Sequence, residues 1–153
     1  MKTLKDHINE ALKIGNNLSG FSTYSCQPKT KDELKEIIKE RISKEGPKCD
    51  LNDIDVSQID DVSYLFFESK FNGDISKWNV SNVEDMCAMF MDSKFNGDIS
   101  KWNVSNVTRM AGMFMNSKFN QDISNWKINK DCKTIAMFNN CPIKKEYKPV
   151  LPK

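Results

Sequence analysis

The chain has a single histidine, His7, among its 153 residues, and it lacks the short motifs of common enzyme families. Because His7 lies near the N-terminus, no Ser-His-Asp or Cys-His arrangement can be built in the rest of the chain. No glycine-rich nucleotide-binding motif is present either. The sequence therefore predicts a protein that is not an enzyme, with no catalytic residues, no metal site and no cofactor.

Cysteine is present but not in a pattern that binds metal or forms a disulfide framework. The chain has five cysteines, an odd number, and no pair has Cys-x-x-Cys spacing. Reduced and mostly buried thiols in a cytosolic compartment are therefore expected. The five residues are Cys26, Cys49, Cys87, Cys132 and Cys141.

Long apolar runs and a strong net charge are also missing. No run of eighteen apolar residues occurs, so we expect no insertion into a membrane. The formal net charge is +2, and no basic cluster predicts nucleic acid as a partner. Residues 1–14 are too polar for the core of a signal peptide, so we expect the protein in the cytoplasm of the producing cell, or packaged in a virion.

What the sequence does have is a 24-residue repeat, its strongest signal. Residues 71–94 read FNGDISKWNVSNVEDMCAMFMDSK, and residues 95–118 match them at 19 of 24 positions. Residues 119–142 are a further, drifted copy. Residues 47–70 are an earlier copy with a degenerate start, so they are the first repeat in chain order. Four copies therefore cover residues 47–142.

The apolar positions of one copy fit neither one long helix nor one long strand. A coil that turns inward several times accounts for them better, with a short strand over Val104 to Met110 and one helical turn over Met110 to Met115. The predicted fold class is an α/β repeat, a solenoid of about four 24-residue coils in which neighbouring coils bury each other's side chains. Equivalent residues should then form ladders, and the sequence places three such sets in register: Trp78, Trp102 and Trp126; Ile75, Ile99 and Ile123; and Phe66, Phe90, Phe114 and Phe138.

Two polar ladders leave an alternative open. Asparagine and aspartate oxygens suit calcium, but here they recur once in 24 residues, and hydrogen bonding at corners of the coil is the favoured interpretation. The positions are Asn72, Asn96 and Asn120, and Asp74, Asp98 and Asp122.

The differences between the two central copies point to a candidate partner-binding face. They include the pairs Glu84 and Thr108, and Asp85 and Arg109. Change on one face of a fixed frame is typical of a recognition surface, although two copies are few. We therefore expect these four residues to contact a protein partner, whose identity the sequence does not reveal.

The segment GDISKWNVSNVEDMCAMF at residues 73–90 resembles the BspA-like leucine-rich repeat family of bacterial surface proteins and prophages. The resemblance implies a right-handed, leucine-rich-repeat-like solenoid with a role in adhesion or protein binding. It carries no catalytic residues. Residues 47–142 are covered, and the first copy departs from the motif because Ile54 stands in place of tryptophan.

The N-terminal third is predicted to hold two short helices. Thr30 to Glu33 forms a capping box ahead of an amphipathic helix from Lys31 to Lys44, which should cap the first coil. Residues 1–15 form a second amphipathic helix or a targeting tag, and residues 16–29 read as a linker. The expected units are therefore 1–15, 16–29, the capping helix over 30–46, the repeats over 47–142 and a basic tail over 143–153.

The first residues also resemble the capsid-targeting tags of internal head proteins in tailed phages. Such tags begin Met-Lys-Thr, as this chain does, and end at an apolar-x-Glu site that a prohead protease cuts. The matching candidate processing site is Ile8 and Glu10, before Ala11. A plain docking helix is the competing interpretation.

Three functions remain open on this basis. The favoured one is a protein-binding solenoid encoded by a phage or prophage, with a phage capsid or host protein as partner. The alternatives are a structural or packaged internal head component of a virion, and an adhesin-type module of a bacterial surface protein.

Overall fold

The structure is a computed structural model, and it describes residues 24–153. Within that range one α-helix, α1, spans Lys31–Glu45, and one short 3-10 helix spans Lys145–Tyr147. The Thr30 hydroxyl accepts a hydrogen bond from the Glu33 backbone N–H, which caps the start of α1. Gly46, at a φ of 88°, ends it, so the helix expected from the capping box is present.

Consecutive repeats stack with equivalent residues in register. The ring centroids of Trp78 and Trp102 lie 6.5 Å apart and nearly parallel, and Trp102 and Trp126 repeat the same distance. Each indole N–H donates to a carbonyl of the preceding repeat, as Trp102 does to Ile75 at 3.1 Å. The tryptophan ladder predicted from the 24-residue period is therefore confirmed.

The phenylalanine ladder is confirmed in the same way. Phe90 lies between Phe66 and Phe114, with ring centroids 5.6 Å from each. Phe114 stacks in turn on Phe138 at 5.7 Å. A second column of phenylalanines, beginning at Phe71, packs against the first. Together these rings make the centre of the core, which no single repeat could bury alone.

The path of the chain within a repeat is a series of tight turns. In the second repeat Asp74 and Asn79 each accept a hydrogen bond from the backbone N–H two residues further on. Asp85 does the same with the N–H of Cys87. Such turns come every five or six residues, and they leave only short stretches between corners.

The predicted fold class, an α/β repeat solenoid with a strand and a helical turn in each coil, is wrong. Among residues 24–153 no β-strand is present, and the repeats are joined by four isolated parallel bridges, one of them between Asp85 and Arg109. The expected strand from Val104 is interrupted at once, because the Val107 N–H bonds back to the Val104 carbonyl. Hydrogen bonds at the corners within each repeat thus take the place of the continuous backbone pairing of a β-sheet.

The expected helical turn over Met110 to Met115 is also absent, because its hydrogen bonds alternate. The Met113 N–H bonds back to Met110, whereas the Phe114 N–H bonds to the next repeat at Met137. Gly112 comes directly before these two donors and has a φ of 62°, in the left-handed region that ends a right-handed helix. The segment is a string of turns and not a helix.

Helix α1 covers the N-terminal end of the stack. Leu34, Ile37 and Ile38 are buried in the same core as the repeats. The Arg41 guanidinium holds both carboxylate oxygens of Asp53, at 2.9 and 3.0 Å. Cys26 forms a parallel bridge to Ile54, so the first repeat is covered by the chain that precedes it.

The C-terminal residues are docked on the last repeat, although their lysines are exposed. Ile143 is buried, and the Ile123 N–H donates to the Tyr147 carbonyl at 3.0 Å. The Lys144 N–H donates to the Asn120 side chain at 3.0 Å, continuing the column of asparagines. The basic tail expected over residues 143–153 therefore has a fixed backbone where it begins.

Candidate binding face

The four residues predicted to contact a partner lie together on two consecutive repeats. Arg109 forms an ion pair with Asp85, with 2.9 Å between Nη2 and Oδ2. The Thr108 N–H donates to the Glu84 carbonyl at 2.9 Å. Glu84, Thr108 and Arg109 are exposed, whereas the Asp85 side chain is only 12% exposed. The structure thus brings these four residues together, but the Asp85 carboxylate is already paired with Arg109 of the same chain.

Charge changes sign along the column that contains this pair. Backbone bridges connect Asp61 to Asp85, Asp85 to Arg109, and Arg109 to Lys133. Asp61 is itself paired with Lys31 of α1 at 3.0 Å. The column is therefore acidic in the first two repeats and basic in the last two.

Beside this column lies a second surface, which we call the turn face. It is formed by the outward side chains of the turn segments at residues 63–68, 87–92, 111–116 and 135–140. Two positions in each segment have positive φ, with values from 50° to 62°, and they recur every 24 residues. Seven of these eight residues are not glycine, so the contacts between repeats hold the backbone in this conformation. They are Tyr64, Glu68, Ala88, Asp92, Gly112, Asn116, Ala136 and Asn140.

The turn face contains an apolar strip beside exposed polar residues such as Asp92 and Asn116, and the height of the strip is uneven. In the middle repeats the strip consists of small or half-buried groups, among them Ala111 and Gly112. At the first repeat Tyr64 and Phe67 are 52% and 37% exposed, with their rings in edge-to-face contact at 5.9 Å. At the last repeat Ile135 is 76% exposed. A low apolar floor is thus bounded at each end by large apolar side chains.

The aspartate column belongs to the corners of the repeats. The Ser100 N–H donates to Asp98 at 2.9 Å and lowers the pKa of that carboxyl. The Ser76 N–H does the same for Asp74. Among residues 24–153 no group of three or more His, Cys, Asp or Glu side chains is arranged to hold a metal ion. These contacts support corner hydrogen bonding, the interpretation favoured from the sequence.

The cysteines have the surroundings of structural thiols. Burial raises the pKa of the Cys132 thiol to about 11, and it also raises the pKa of Cys26, Cys49 and Cys87. Because the thiolate is the nucleophile, these four side chains are protonated and weakly reactive at neutral pH.

Sequence reasoning missed the large apolar residues of the turn face. Tyr64, Phe67 and Ile135 were not among the expected site residues, because that stretch was assigned to a helical turn. Aligning the four copies would have revealed Tyr64, Ala88, Gly112 and Ala136 as one column of changing size. The candidate processing site at Ile8, Glu10 and Ala11 lies outside the described residues and stays a prediction.

Residues 33–148 match the model of a protein family described as "Mycoplasma protein of unknown function, DUF285". No curated protein and no solved structure matches the chain. Within residues 24–153 there is no helix with the length and apolar character needed to cross a membrane. The match covers α1 from Glu33 onward and all four repeats, so the family pattern and the stack coincide.

Proposed function

This chain belongs to the family described as Mycoplasma protein of unknown function, DUF285, and we propose that it is a non-enzymatic protein-binding module. Its partner contacts the turn face and the charged column beside it. The resemblance of the repeats to BspA-like leucine-rich repeats, whose role is adhesion or protein binding, supports the same function.

One observation carries the proposal: all five differences between the two central copies fall in the turn segments or at the charged column beside them. They lie within residues 84–92 and their equivalents, and the other 19 positions, which include those of the core and the corners, are identical. A stack whose frame is fixed while one face changes from copy to copy can present a specific surface without loss of stability. The differing positions are Glu84, Asp85, Cys87, Ala88 and Asp92 in the second copy.

The chemistry of the surface also suits a protein partner. Exposed aromatic residues such as Tyr64 and Phe67 offer large contact areas at a low cost in conformational entropy. The apolar floor at Ala111 and Gly112 leaves room for a partner's side chain. Charged groups at the border, such as Arg109 and Glu84, favour one orientation of the partner over others.

The test is site-specific photocrosslinking with the full chain expressed in its native host. A photoreactive amino acid at Thr108 should crosslink to one defined protein, because this exposed position borders the turn face. The matched control is the same amino acid at Lys101, an exposed position on another side of the same repeat. Equal crosslinking from both positions, or none from either, would refute the proposal.

A second variant separates binding from folding. Ala111→Arg places a long charged side chain on the apolar floor, where other repeats carry Ser63, Cys87 or Ile135. We expect the crosslink from Thr108 to disappear while thermal unfolding of the purified chain is little changed. An unaffected crosslink would show that the floor does not take part in binding.

A further inference from the structure

The two ends of the stack are closed differently. In each inner repeat three backbone N–H groups of the turn segment donate to carbonyls of the next repeat. Gly112, Phe114 and Asn116 thus bond to Ile135, Met137 and Asn139, at 2.8 to 3.0 Å. In the last repeat the equivalent donors are Ala136, Phe138 and Asn140, and within residues 24–153 no acceptor meets them. These three N–H groups form an open edge.

The surroundings of the open edge are accessible. Asn140 is exposed, and Ala136 and Phe138 are half-buried. One face of the Phe138 ring stacks on Phe114, and the Lys148 ammonium lies 5.4 Å from the ring centroid. The C-terminal residues cover the neighbouring part of the last repeat but supply no carbonyl to the three donors.

The other end has a cap. Helix α1 lies over the first repeat, with a pocket of about 340 Å³ between it and the segment at residues 65–69. Leu65 and Phe66 are buried there. A second copy of the chain could not stack its first repeat on the open edge without displacing α1, which argues against head-to-tail assembly of identical chains.

Charge at the open edge selects the kind of partner. Residues 119–153 contain seven lysines and three carboxylate side chains, a net charge of +4. Residues 47–70 at the other end contain two lysines and six carboxylates, a net charge of −4. An incoming segment whose carbonyls accept from the N–H groups of the edge is therefore favoured if it carries carboxylates.

We infer that the open edge binds an acidic turn segment of the same repeat type, supplied by a different protein. Its alternate carbonyls accept from the N–H groups of Ala136, Phe138 and Asn140. Its carboxylates lie near Lys133 and Lys148. Addition of a segment to an unpaired backbone edge is a general mode of peptide recognition, and an uncovered edge is otherwise prone to aggregate. The open edge lies in the last segment of the turn face, residues 135–140, but it binds through backbone N–H groups and not through the side chains on which the proposed turn-face function rests.

The chain itself provides a matched pair of probes. A synthetic peptide of residues 84–94, with Cys87→Ser, carries three carboxylates and one lysine. The equivalent peptide of residues 108–118 carries one arginine and one lysine but no carboxylate side chain. In the stack both segments supply carbonyls to the preceding repeat, so they differ in charge but not in pattern.

Each peptide is titrated into the isotopically labelled full chain and followed by NMR and amide hydrogen exchange. The acidic peptide should shift the amide signals of Ala136, Phe138 and Asn140 and slow their exchange about tenfold at nine-tenths saturation. The basic peptide should bind more weakly. Lys133→Glu should weaken the acidic peptide about fivefold, whereas Lys101→Glu, in an inner repeat, should not.

Two results would overturn the inference. One is that neither peptide perturbs the three amides, or that both bind equally and without dependence on salt. The other is concentration-dependent self-association of the full chain in sedimentation, with protection of the same amides, since the occupant would then be a second copy. Loss of the turn-face crosslink in Ala111→Arg, with peptide binding intact, would show that the two sites are separate.

Discussion

Replacement of the central tryptophan tests the stacked core most directly. Trp102 is 4% exposed and lies between Trp78 and Trp126, with ring centroids 6.5 Å from each. A tilted contact to Phe90 at 6.4 Å covers its edge, and its indole N–H bonds to the Ile75 carbonyl. Trp102→Ala therefore removes ring contacts on both faces and one of the two hydrogen bonds to the Ile75 carbonyl, which still accepts from the Trp78 backbone N–H.

The expected loss in the free energy of unfolding can be estimated from these contacts. Truncation of a buried aromatic side chain costs about 3–5 kcal/mol, which includes the lost burial and the cavity. Trp102→Phe keeps much of the ring packing but removes the indole N–H donor, so it should cost about 0.5–1.5 kcal/mol for the lost hydrogen bond. Since a domain has about 5–15 kcal/mol of stability in total, Trp102→Ala should leave it close to unfolding.

Differential scanning calorimetry and urea unfolding measure both changes. For a chain of this size, 3–5 kcal/mol corresponds to a lowering of Tm by about 6–20 °C. Lys101→Ala, next to Trp102 but exposed, is the control and should stay within about 0.5 kcal/mol. A loss below about 1 kcal/mol for Trp102→Ala, with an unchanged urea m-value, would refute the assignment of this ring to the core.

Three further predictions concern the surface and the turns. Arg109→Ala should cost less than about 1 kcal/mol in urea unfolding, because the side chain is 63% exposed and Asp85 keeps a backbone N–H donor; a larger loss would make the pair structural. The backbone N–H of Ser100 lowers the pKa of Asp98. The ionised Asp98 carboxylate therefore adds to the stability of the folded chain above its ordinary pKa of about 4, and this stability is lost as the pH falls through the pKa of the folded state. The Tm should therefore fall less steeply between pH 7 and pH 2 for Asp98→Asn than for the wild type. Parallel curves of Tm against pH would contradict this. Glu68→Gly should raise stability by up to about 1.6 kcal/mol, since a φ of 53° costs about 1–2 kcal/mol for a residue with a Cβ and the more flexible unfolded chain offsets about 0.4–1 kcal/mol; a lower urea midpoint would count against strain at this turn.

The sequence by itself determined the register of the stack and its helical cap. A period of 24 residues with identical Trp, Phe and Ile positions permits one alignment of the copies, and that alignment places Trp78 against Trp102. The capping box at Thr30 and the apolar spacing of α1 are local signals, because a helix satisfies its hydrogen bonds within its own segment.

Only the tertiary structure decided the path of the chain inside each repeat. The turn segments resemble a helix in pattern, but the Ala88 N–H bonds to Ala111 in the next repeat and not within its own segment. Such a bond joins residues 23 positions apart, so the spacing of apolar residues within one segment does not predict it. The positive φ of Ala88 follows from the same contact, since an alanine on its own disfavours that region. The turn face, and the open edge at Phe138, exist because these bonds run from repeat to repeat and the last repeat has no successor within the described chain.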